Sequence, residues 1–276
     1  MRRSVFHRRD EAITSLAAPD PTCAPPHVLG FEAVLWEHGQ VKQQFPTVSG
    51  DLDGFANAIN DHGQAVGGTG NCEQDYSDQP QHAVLWENSA ATDLGNLGGT
   101  TNNLATDINN QGQVVGKSNV SGDTTSHAFL WQNGEITDLG TLAGDFSSQA
   151  NAINSEGQLV GFSCDASGNC RAFLWQNGVM TDLNTLTAAN SPLYALEAIE
   201  INARGMITGY ALQLSTGQIH AFLATPMTDD AADAATPAVR GESSESPKIT
   251  IPENIRKLLQ QKRGFGRARL GVIHAQ

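Results

Sequence analysis

Long apolar runs are missing from this chain of 276 residues. A membrane-spanning helix needs about 20 consecutive, predominantly apolar residues, so the sequence predicts no transmembrane segment. Aromatic residues make up only 6% of the chain, whereas it holds 28 glycines. Few aromatic residues and many glycines favour short strands joined by tight turns over a large helical core.

Basic residues are scarce outside the C-terminal end. The formal net charge is −13, yet the segment from Lys248 onward carries seven Lys and Arg residues against one acid, Glu253. The residues before it therefore hold nine basic and 28 acidic side chains. A body this acidic repels phosphate backbones, which argues against a nucleic acid as its partner.

Motifs of catalysis and of targeting are missing as well. The sequence contains no His-Glu-x-x-His, no Gly-x-Ser-x-Gly and no phosphate-binding loop. Residues 161–165 come within one residue of a nucleophile elbow but belong to a repeated strand. The sequence therefore predicts no catalytic, cofactor or metal site. Residues 1–3 look like the start of a signal peptide, but charged residues 7–11 stand where its apolar run belongs, so no signal peptide is visible.

Cysteine is limited to four residues. Cys164 and Cys170 flank a turn-like stretch, and a hairpin there would bring the two thiols within bonding distance. We predict a disulfide, which is typical of an oxidising compartment; two reduced neighbouring thiols are the alternative. The sequence does not decide whether Cys23 pairs with Cys72.

What the chain does have is an internal repeat. A phrase of the type His-Ala-Phe-Leu-Trp recurs five times, beginning at Glu32, His82, His127, Arg171 and His220. The first four copies end on Trp36, Trp86, Trp131 and Trp175, which are all the tryptophans of the protein. A period of about 45 residues is typical of propeller blades and other repeat folds.

A second phrase, Ala-x-x-Ile-Asn-x-x-Gly, occurs four times and predicts a turn after a strand. Asn can hydrogen-bond its own backbone there, and Gly supplies a positive φ. The asparagines are Asn60, Asn109, Asn154 and Asn202, and the glycines are Gly63, Gly112, Gly157 and Gly205. We interpret these residues and the four tryptophans as structural elements of the repeat.

Each unit predicts four short antiparallel strands. Two strands surround the Asn–Gly turn, and two more surround a hairpin signal such as Asn133-Gly134. The strand His127–Trp131 is apolar on both faces, so it is expected to be covered on both sides. Sheets stacked face to face provide that cover, which is the arrangement of propeller blades.

The fold class predicted is all-β: a repeat array of four-stranded antiparallel blades forming a small, four- to five-bladed β-propeller. Residues 31–45 are expected to close the ring by completing the blade begun by residues 198–225; an open arc is the alternative. The predicted regions are an N-terminal extension (1–30), the repeat domain (31–226), a disordered linker (227–249) and a basic amphipathic tail with a short helix (250–276).

These phrases resemble the HAF family of extracellular repeats, named for the His-Ala-Phe seen at residues 127–129 and 220–222. The resemblance covers roughly residues 31–225, and residues 127–163 match the family unit almost throughout. It implies a bacterial, β propeller-like protein outside the cell or in its envelope. It carries over no enzymatic activity.

Three sets of recurring side chains allow two interpretations each. The repeated histidines (His82, His127, His220) suggest a metal ring or, as we prefer, structural bonds to a neighbouring turn. The repeated aspartates (Asp93, Asp138, Asp182) suggest calcium ligands or, as we prefer, turn caps. The tryptophans suggest a ligand-stacking platform or, as we prefer, core packing.

Variation is concentrated in the loops, which is where repeat scaffolds usually bind. We therefore predict a non-enzymatic binding or structural module whose loops contact an unknown protein or glycan. The alternative is a hydrolase or lyase acting on polysaccharide. The basic tail is expected to dock on a partner, on an anionic surface or on the acidic body of the chain itself, or to have no role.

Overall fold

The computed structural model describes residues 3–8, 11–19, 29–71, 80–188, 190–226 and 249–264. These residues form five separate antiparallel sheets that follow one another along the chain. Four sheets have four strands and the last has three. The prediction of an all-β array of four-stranded units is therefore confirmed.

The strands are numbered in chain order. Sheet 1 contains β1 (Arg3–Arg8), β2 (Glu11–Pro19), β3 (Leu29–Glu37) and β4 (Gln40–Gln44). Sheet 2 contains β5 (Asp53–Ile59), β6 (Ala65–Gly70), β7 (His82–Glu87) and β8 (Ala90–Asp93). Sheet 3 contains β9 (Leu104–Ile108), β10 (Val114–Asn119), β11 (Ser126–Gln132) and β12 (Glu135–Asp138). Sheet 4 contains β13 (Ser147–Ile153), β14 (Leu159–Cys164), β15 (Cys170–Gln176) and β16 (Val179–Asp182). Sheet 5 contains β17 (Leu193–Ile201), β18 (Ile207–Gln213) and β19 (Gln218–Ala224).

Each sheet packs against the next through apolar side chains. Between sheets 2 and 3, for example, Ala83 and Leu85 of β7 meet Ala105, Val114 and Phe129. Equivalent clusters join sheets 1 and 2, sheets 3 and 4, and sheets 4 and 5. Complete burial of one such Val, Leu or Phe stabilises the fold by about 1.5–3 kcal/mol. The face-to-face stacking predicted from the two apolar faces of the third strand is therefore the main source of the core.

The predicted ring closure is wrong. Residues 31–45 do not complete sheet 5, because β3 pairs along its whole length with β2, from Glu11↔Glu37 to Pro19↔Leu29. That pairing occupies the edge which the closing strand would have used. Among the described residues no extensive contact joins sheet 1 to sheet 5, and no strand is shared between them.

The predicted N-terminal extension differs from the structure. Residues 1–30, expected as an extension, include β1 and β2, so sheet 1 begins well before residue 31. The predicted linker, residues 227–249, lies outside the described residues except for Ile249.

No helix among the described residues is long and apolar enough to span a membrane.

A bulge interrupts the first strand of sheets 2 to 5 at the same place. The register shift leaves one extra residue at Asn57, Thr106, Asn151 and Ile199. Opposite each bulge, a glycine of the second strand lies against a backbone carbonyl, with no room for a side chain. At Gly161, a Cβ atom would stand 1.9 Å from the carbonyl oxygen of Gln149.

The basic tail begins with a helix, α1 (Glu253–Gly264), which starts after Pro252 as helices often do. Its apolar side chains Ile255 and Leu259, with Ile251 before it, pack on sheet 5 against Tyr194, Leu196 and Leu212. The described part of the tail therefore docks on the chain's own body, which is one of the docking modes expected from the sequence.

Candidate functional site

Antiparallel strands divide the connections of the array between two opposite ends. The first end, here named the turn end, carries the tight turns after the first and third strands of each sheet. The second end, named the loop end, carries the connections after the second strand and between sheets. The described residues of these connections include 45–52, 95–103, 120–125, 140–146, 165–169, 183–188, 190–192 and 214–217. Within the described residues, the loops that vary in sequence between units lie at the loop end.

The turn end is built from the repeated Asn–Gly phrase. The Oδ1 atom of Asn109 accepts hydrogen bonds from the backbone N–H of Gln111 (3.1 Å) and of Gln113 (3.0 Å). Gly112 completes the turn with a φ of +75°, which favours glycine. Asn60, Asn154 and Asn202, with Gly63, Gly157 and Gly205, make the same turn.

The same asparagines also connect neighbouring sheets. The Nδ2 atom of each donates to the backbone carbonyl oxygen of the next asparagine in the series. The distances are 3.1 Å from Asn60 to Asn109, 3.0 Å from Asn109 to Asn154 and 3.1 Å from Asn154 to Asn202. We call this series the asparagine ladder. It ends at Asn202, whose side chain is exposed because no further sheet follows among the described residues.

A second row of bonds runs beside the ladder. The bulge residues Asn57, Thr106 and Asn151 donate side-chain hydrogen bonds to carbonyl oxygens in the next sheet. The acceptors are Ala105, Ala150 and Ala198, the alanines of the Ala-x-x-Ile-Asn phrase. Most polar groups of the repeat at the turn end are thus engaged in holding sheets together.

The tryptophans lie between sheets. Trp86 is fully buried, stacks on Phe45 of sheet 1 with ring centroids 5.3 Å apart, and donates from Nε1 to the carbonyl of Pro46. Trp131 and Trp175 are half-buried against the next two inter-sheet clusters, and Trp36 of sheet 1 is half-buried as well. This placement fits core packing and does not create a stacking platform on the surface.

The recurring His or Arg of the third strand pairs with aspartate in three sheets. His127 Nδ1 lies 3.0 Å from Asp138 Oδ2, and His82 Nδ1 lies 2.8 Å from Asp51 Oδ2. Arg171 reaches two carboxylates, Asp145 at 3.1 Å and Asp182 at 3.0 Å. The three repeated aspartates also cap turns, with Asp93, Asp138 and Asp182 accepting from the N–H two residues on. His82, His127 and the three aspartates therefore make structural bonds of the kind preferred from the sequence, whereas His220 is exposed.

No group of three or more His, Cys, Asp or Glu side chains in the described part of the chain is placed to hold a metal ion.

One acidic residue organises the loop end of sheet 3. Asp123 accepts hydrogen bonds from the backbone N–H groups of Thr100 and Thr101, from both threonine hydroxyls and from Asn119. The backbone N–H groups of Thr101 and Thr100 hold the pKa of Asp123 well below its usual range. Two variable loops, 95–103 and 120–125, are thereby fixed to each other.

Because of the lowered pKa of Asp123, we expect the hydrogen bonds between these two loops to survive at unusually acid pH. Because the folded pKa is lowered, the bonds of Asp123 persist as the pH falls through the ordinary aspartate value of about 3.9 and are lost only at more acid pH. The amide NMR signals of Thr100 and Thr101 should accordingly not titrate around that pH. Titration of both signals there would contradict the bonding, and an Asp123→Ala variant identifies which shifts depend on the carboxylate.

The loop before sheet 4 is also held, by one bond to a loop of sheet 3 and one bond within sheet 4. The hydroxyl of Thr125 donates to the carbonyl of Phe146, and the N–H of Phe146 donates to the carbonyl of Cys164, both at 2.7 Å. Large apolar side chains nevertheless remain exposed along this end: Leu52, Phe146, Leu186 and Leu214. The loop end is thus a pre-arranged surface with apolar side chains pointing into solvent.

The disulfide lies at the same end. Cys164 and Cys170 are bonded across the hairpin of sheet 4, and Asp165 holds the hairpin loop through the N–H groups of Ser167 and Asn169. The loop in turn meets α1, because Asn169 Oδ1 accepts from Ile251 N–H and the carbonyl of Ser167 accepts from Arg256. A cavity of about 310 Å³ is lined by residues of both the hairpin and the helix.

Sequence reasoning located the variable loops but missed the residues that fix them. Asp51, Asp123 and Asp145 stand outside the repeated phrases, so no periodicity distinguishes them. A sequence signal does exist at two of them, since Thr47-x-x-x-Asp51 and Thr141-x-x-x-Asp145 share one loop type. In it the Thr hydroxyl donates a hydrogen bond to the backbone carbonyl oxygen of the Asp.

Comparison with known proteins adds little beyond the architecture. No family model matches the chain, and no curated protein matches it. Among solved structures, the β-propeller domain of the Trilobed protease from Pyrococcus furiosus, described as having an open velcro topology, is similar with a TM-score of 0.43 and 17% identity. The match covers 69% of this chain and 56% of that one, so the chain spans little more than half of that structure.

Proposed function

We propose that this protein is a non-enzymatic binding module that contacts another protein through its loop end. The observation that carries the proposal is the exposure of large apolar side chains on loops held in place by inter-loop hydrogen bonds. Phe146 is 47% exposed and Leu214 51% exposed. Exposed apolar side chains grouped on one surface are typical of protein interaction sites, and fixed loops reduce the entropy lost on binding.

A non-enzymatic role is supported by how the recurring polar side chains are used. Asp138 bonds His127, Asp182 pairs with Arg171, and both aspartates cap a turn. The ladder asparagines bond the next sheet. General acid–base catalysis needs carboxyl groups placed toward a substrate, whereas these groups are turned to the protein itself. We extend the proposal to HAF-family membership and to action outside the cytoplasm, where a disulfide such as Cys164–Cys170 persists.

The proposal predicts that two apolar side chains at the loop end carry much of the binding. We expect the double variant Phe146→Ser/Leu214→Ser to bind peptides selected on the wild-type protein from a displayed peptide library at least about tenfold more weakly. Val179→Ser is the matched control, because Val179 is 59% exposed but begins β16 at the turn end.

The same experiment separates the alternatives. Peptides that bind the double variant as well as the wild type would place the site elsewhere. Binding on a glycan array without selected peptides would identify a glycan as the ligand and overturn the proposal of a protein partner. Cleavage of an arrayed polysaccharide by the wild-type protein would overturn the non-enzymatic role.

A further inference from the structure

Sheet 5 is incomplete in a specific way. Sheets 1 to 4 all add a fourth strand to the outer edge of the third, whereas sheet 5 ends with its third strand, β19. The sequence of β19 still carries the phrase His220-Ala-Phe-Leu, and Gly209↔Phe222 pairs as Gly116↔Phe129 does in sheet 3. The third strand therefore has its normal position, and only its outer neighbour is missing among the described residues.

The other sheets show which backbone groups this leaves open. In sheet 3 the N–H of Leu139, just after the fourth strand, donates to the carbonyl of Ala128, and Leu130 is directly opposite Thr137. In an antiparallel ladder every second residue of a strand bonds to the same neighbour. The equivalent groups of sheet 5 are the carbonyl of Ala221 and both the N–H and the carbonyl of Leu223.

The side-chain face of β19 is uncovered as well, because no further sheet stacks on it among the described residues, whereas the equivalent side chains of sheets 2 to 4 pack against the next sheet. Ala83, Ala128 and Ala172 are completely buried, whereas the equivalent Ala221 is exposed. Leu223 is 59% exposed, although the equivalent Leu85 is buried. An uncovered edge with free backbone groups is a template for pairing with another strand.

We infer that the open edge of β19 binds an extended segment of another polypeptide, which adds as the fourth strand of sheet 5. The fourth strands present in sheets 2 to 4 identify the chemistry of that segment, since they end on Thr-Asp-Leu. In sheets 3 and 4 this aspartate bonds the first residue of the phrase, as Asp138 bonds His127 and Asp182 bonds Arg171, whereas His82 of sheet 2 bonds Asp51 instead. His220 is the equivalent residue of β19. Its side chain is exposed and is therefore accessible to the aspartate of an added strand.

The inferred partner is thus a strand with the pattern apolar-Thr-Asp-Leu. Its Leu N–H would bond the Ala221 carbonyl, its Thr would stand opposite Leu223, and its Asp would bond His220. Backbone bonds supply affinity in this type of recognition and the alternate side chains supply specificity. This surface lies on sheet 5 and is separate from the loop-end side chains of the proposed function.

The test uses the full-length protein and a fluorescent peptide, Gly-Glu-Ile-Thr-Asp-Leu-Gly, which copies residues 134–140. We expect saturable binding in fluorescence anisotropy. Replacing the peptide's Asp by Asn, or methylating its Thr nitrogen, should weaken binding by about tenfold or more, because the first removes the charged partner of His220 and the second removes a ladder bond.

Two protein variants locate the site. Leu223→Pro removes the N–H that points away from β18, and proline is tolerated at such an edge position; it should abolish peptide binding. Leu223→Ser keeps the N–H and should bind like the wild type. Equal melting temperatures of the two variants show that the fold is retained.

The inference is overturned if the peptide does not bind, if the methylated peptide binds equally well, or if Leu223→Pro has no effect. Concentration-dependent dimerisation that Leu223→Pro abolishes, in a protein that ignores the peptide, would also overturn it, because the edge would then pair with a second copy.

Discussion

Replacing Gly161 by alanine is expected to lower the free energy of unfolding by ~3 kcal/mol or more, because the new methyl group has no space. Its carbon would stand 1.9 Å from the carbonyl oxygen of Gln149 and 2.9 Å from the carbonyl carbon. The bulge at Asn151 brings this carbonyl close, and backbone atoms of a central strand pair cannot move aside without breaking the ladder. Urea denaturation with the disulfide intact measures the effect.

Gly178→Ala is the control for this change. Gly178 has a φ of +81° and nothing within 4 Å of the added carbon, so the substitution introduces backbone strain of about 1 kcal/mol but no collision. Both variants reduce the freedom of the unfolded chain equally. If Gly161→Ala were no more destabilising than Gly178→Ala, the close approach at the bulge would be disproved.

Changing Asn109 to aspartate should destabilise the protein by about 3 kcal/mol, although the two side chains have the same shape. The carboxylate still accepts from the turn N–H groups of Gln111 and Gln113. It cannot donate to the carbonyl of Asn154 or to the side chain of Gln113, and it places negative charge against both oxygens. Asn109 is only 6% exposed, so water cannot replace the lost bonds.

Asn202→Asp is the matched control, since Asn202 makes the same two turn bonds but has an exposed side chain at the end of the ladder. We expect it to change the free energy of unfolding by less than about 0.5 kcal/mol. The introduced carboxyl at 109 should have a raised pKa in the folded state, so the deficit should shrink as the pH falls toward the ordinary aspartate value of about 3.9, stay constant below it, and grow as the pH rises. Equal destabilisation by the two variants would refute the inter-sheet bond.

Local sequence chemistry was sufficient to predict the repeated unit. Asn133 and Gly134 both have positive φ, at 54° and 86°, which is the two-residue hairpin expected from an Asn-Gly pair. The Asn–Gly turns and the four-strand order follow from the same kind of signal. Local signals do not indicate which strand a given strand pairs with. Since β1 and β2 carry none of the repeated phrases, the pairing of β2 with β3 was missed.

The asparagine ladder shows a different limit of sequence reasoning. The hydrogen bonds from the turn N–H groups already account for the side-chain oxygen of each asparagine, so no sequence pattern points to a partner for its side-chain N–H group. That partner is a carbonyl 45 to 49 residues away, whose position depends on how the sheets stack. Asp123 was missed for a similar reason, because the threonines it binds belong to another variable loop.

The side-chain amide exchange rates of the four repeated asparagines test the stacked array most directly. In an NMR exchange experiment the Nδ2 protons of Asn60, Asn109 and Asn154 should be protected from solvent, since each is bonded to the next sheet, while those of Asn202 should exchange rapidly. Rapid exchange at all four positions would contradict the ladder and the inter-sheet packing built on it.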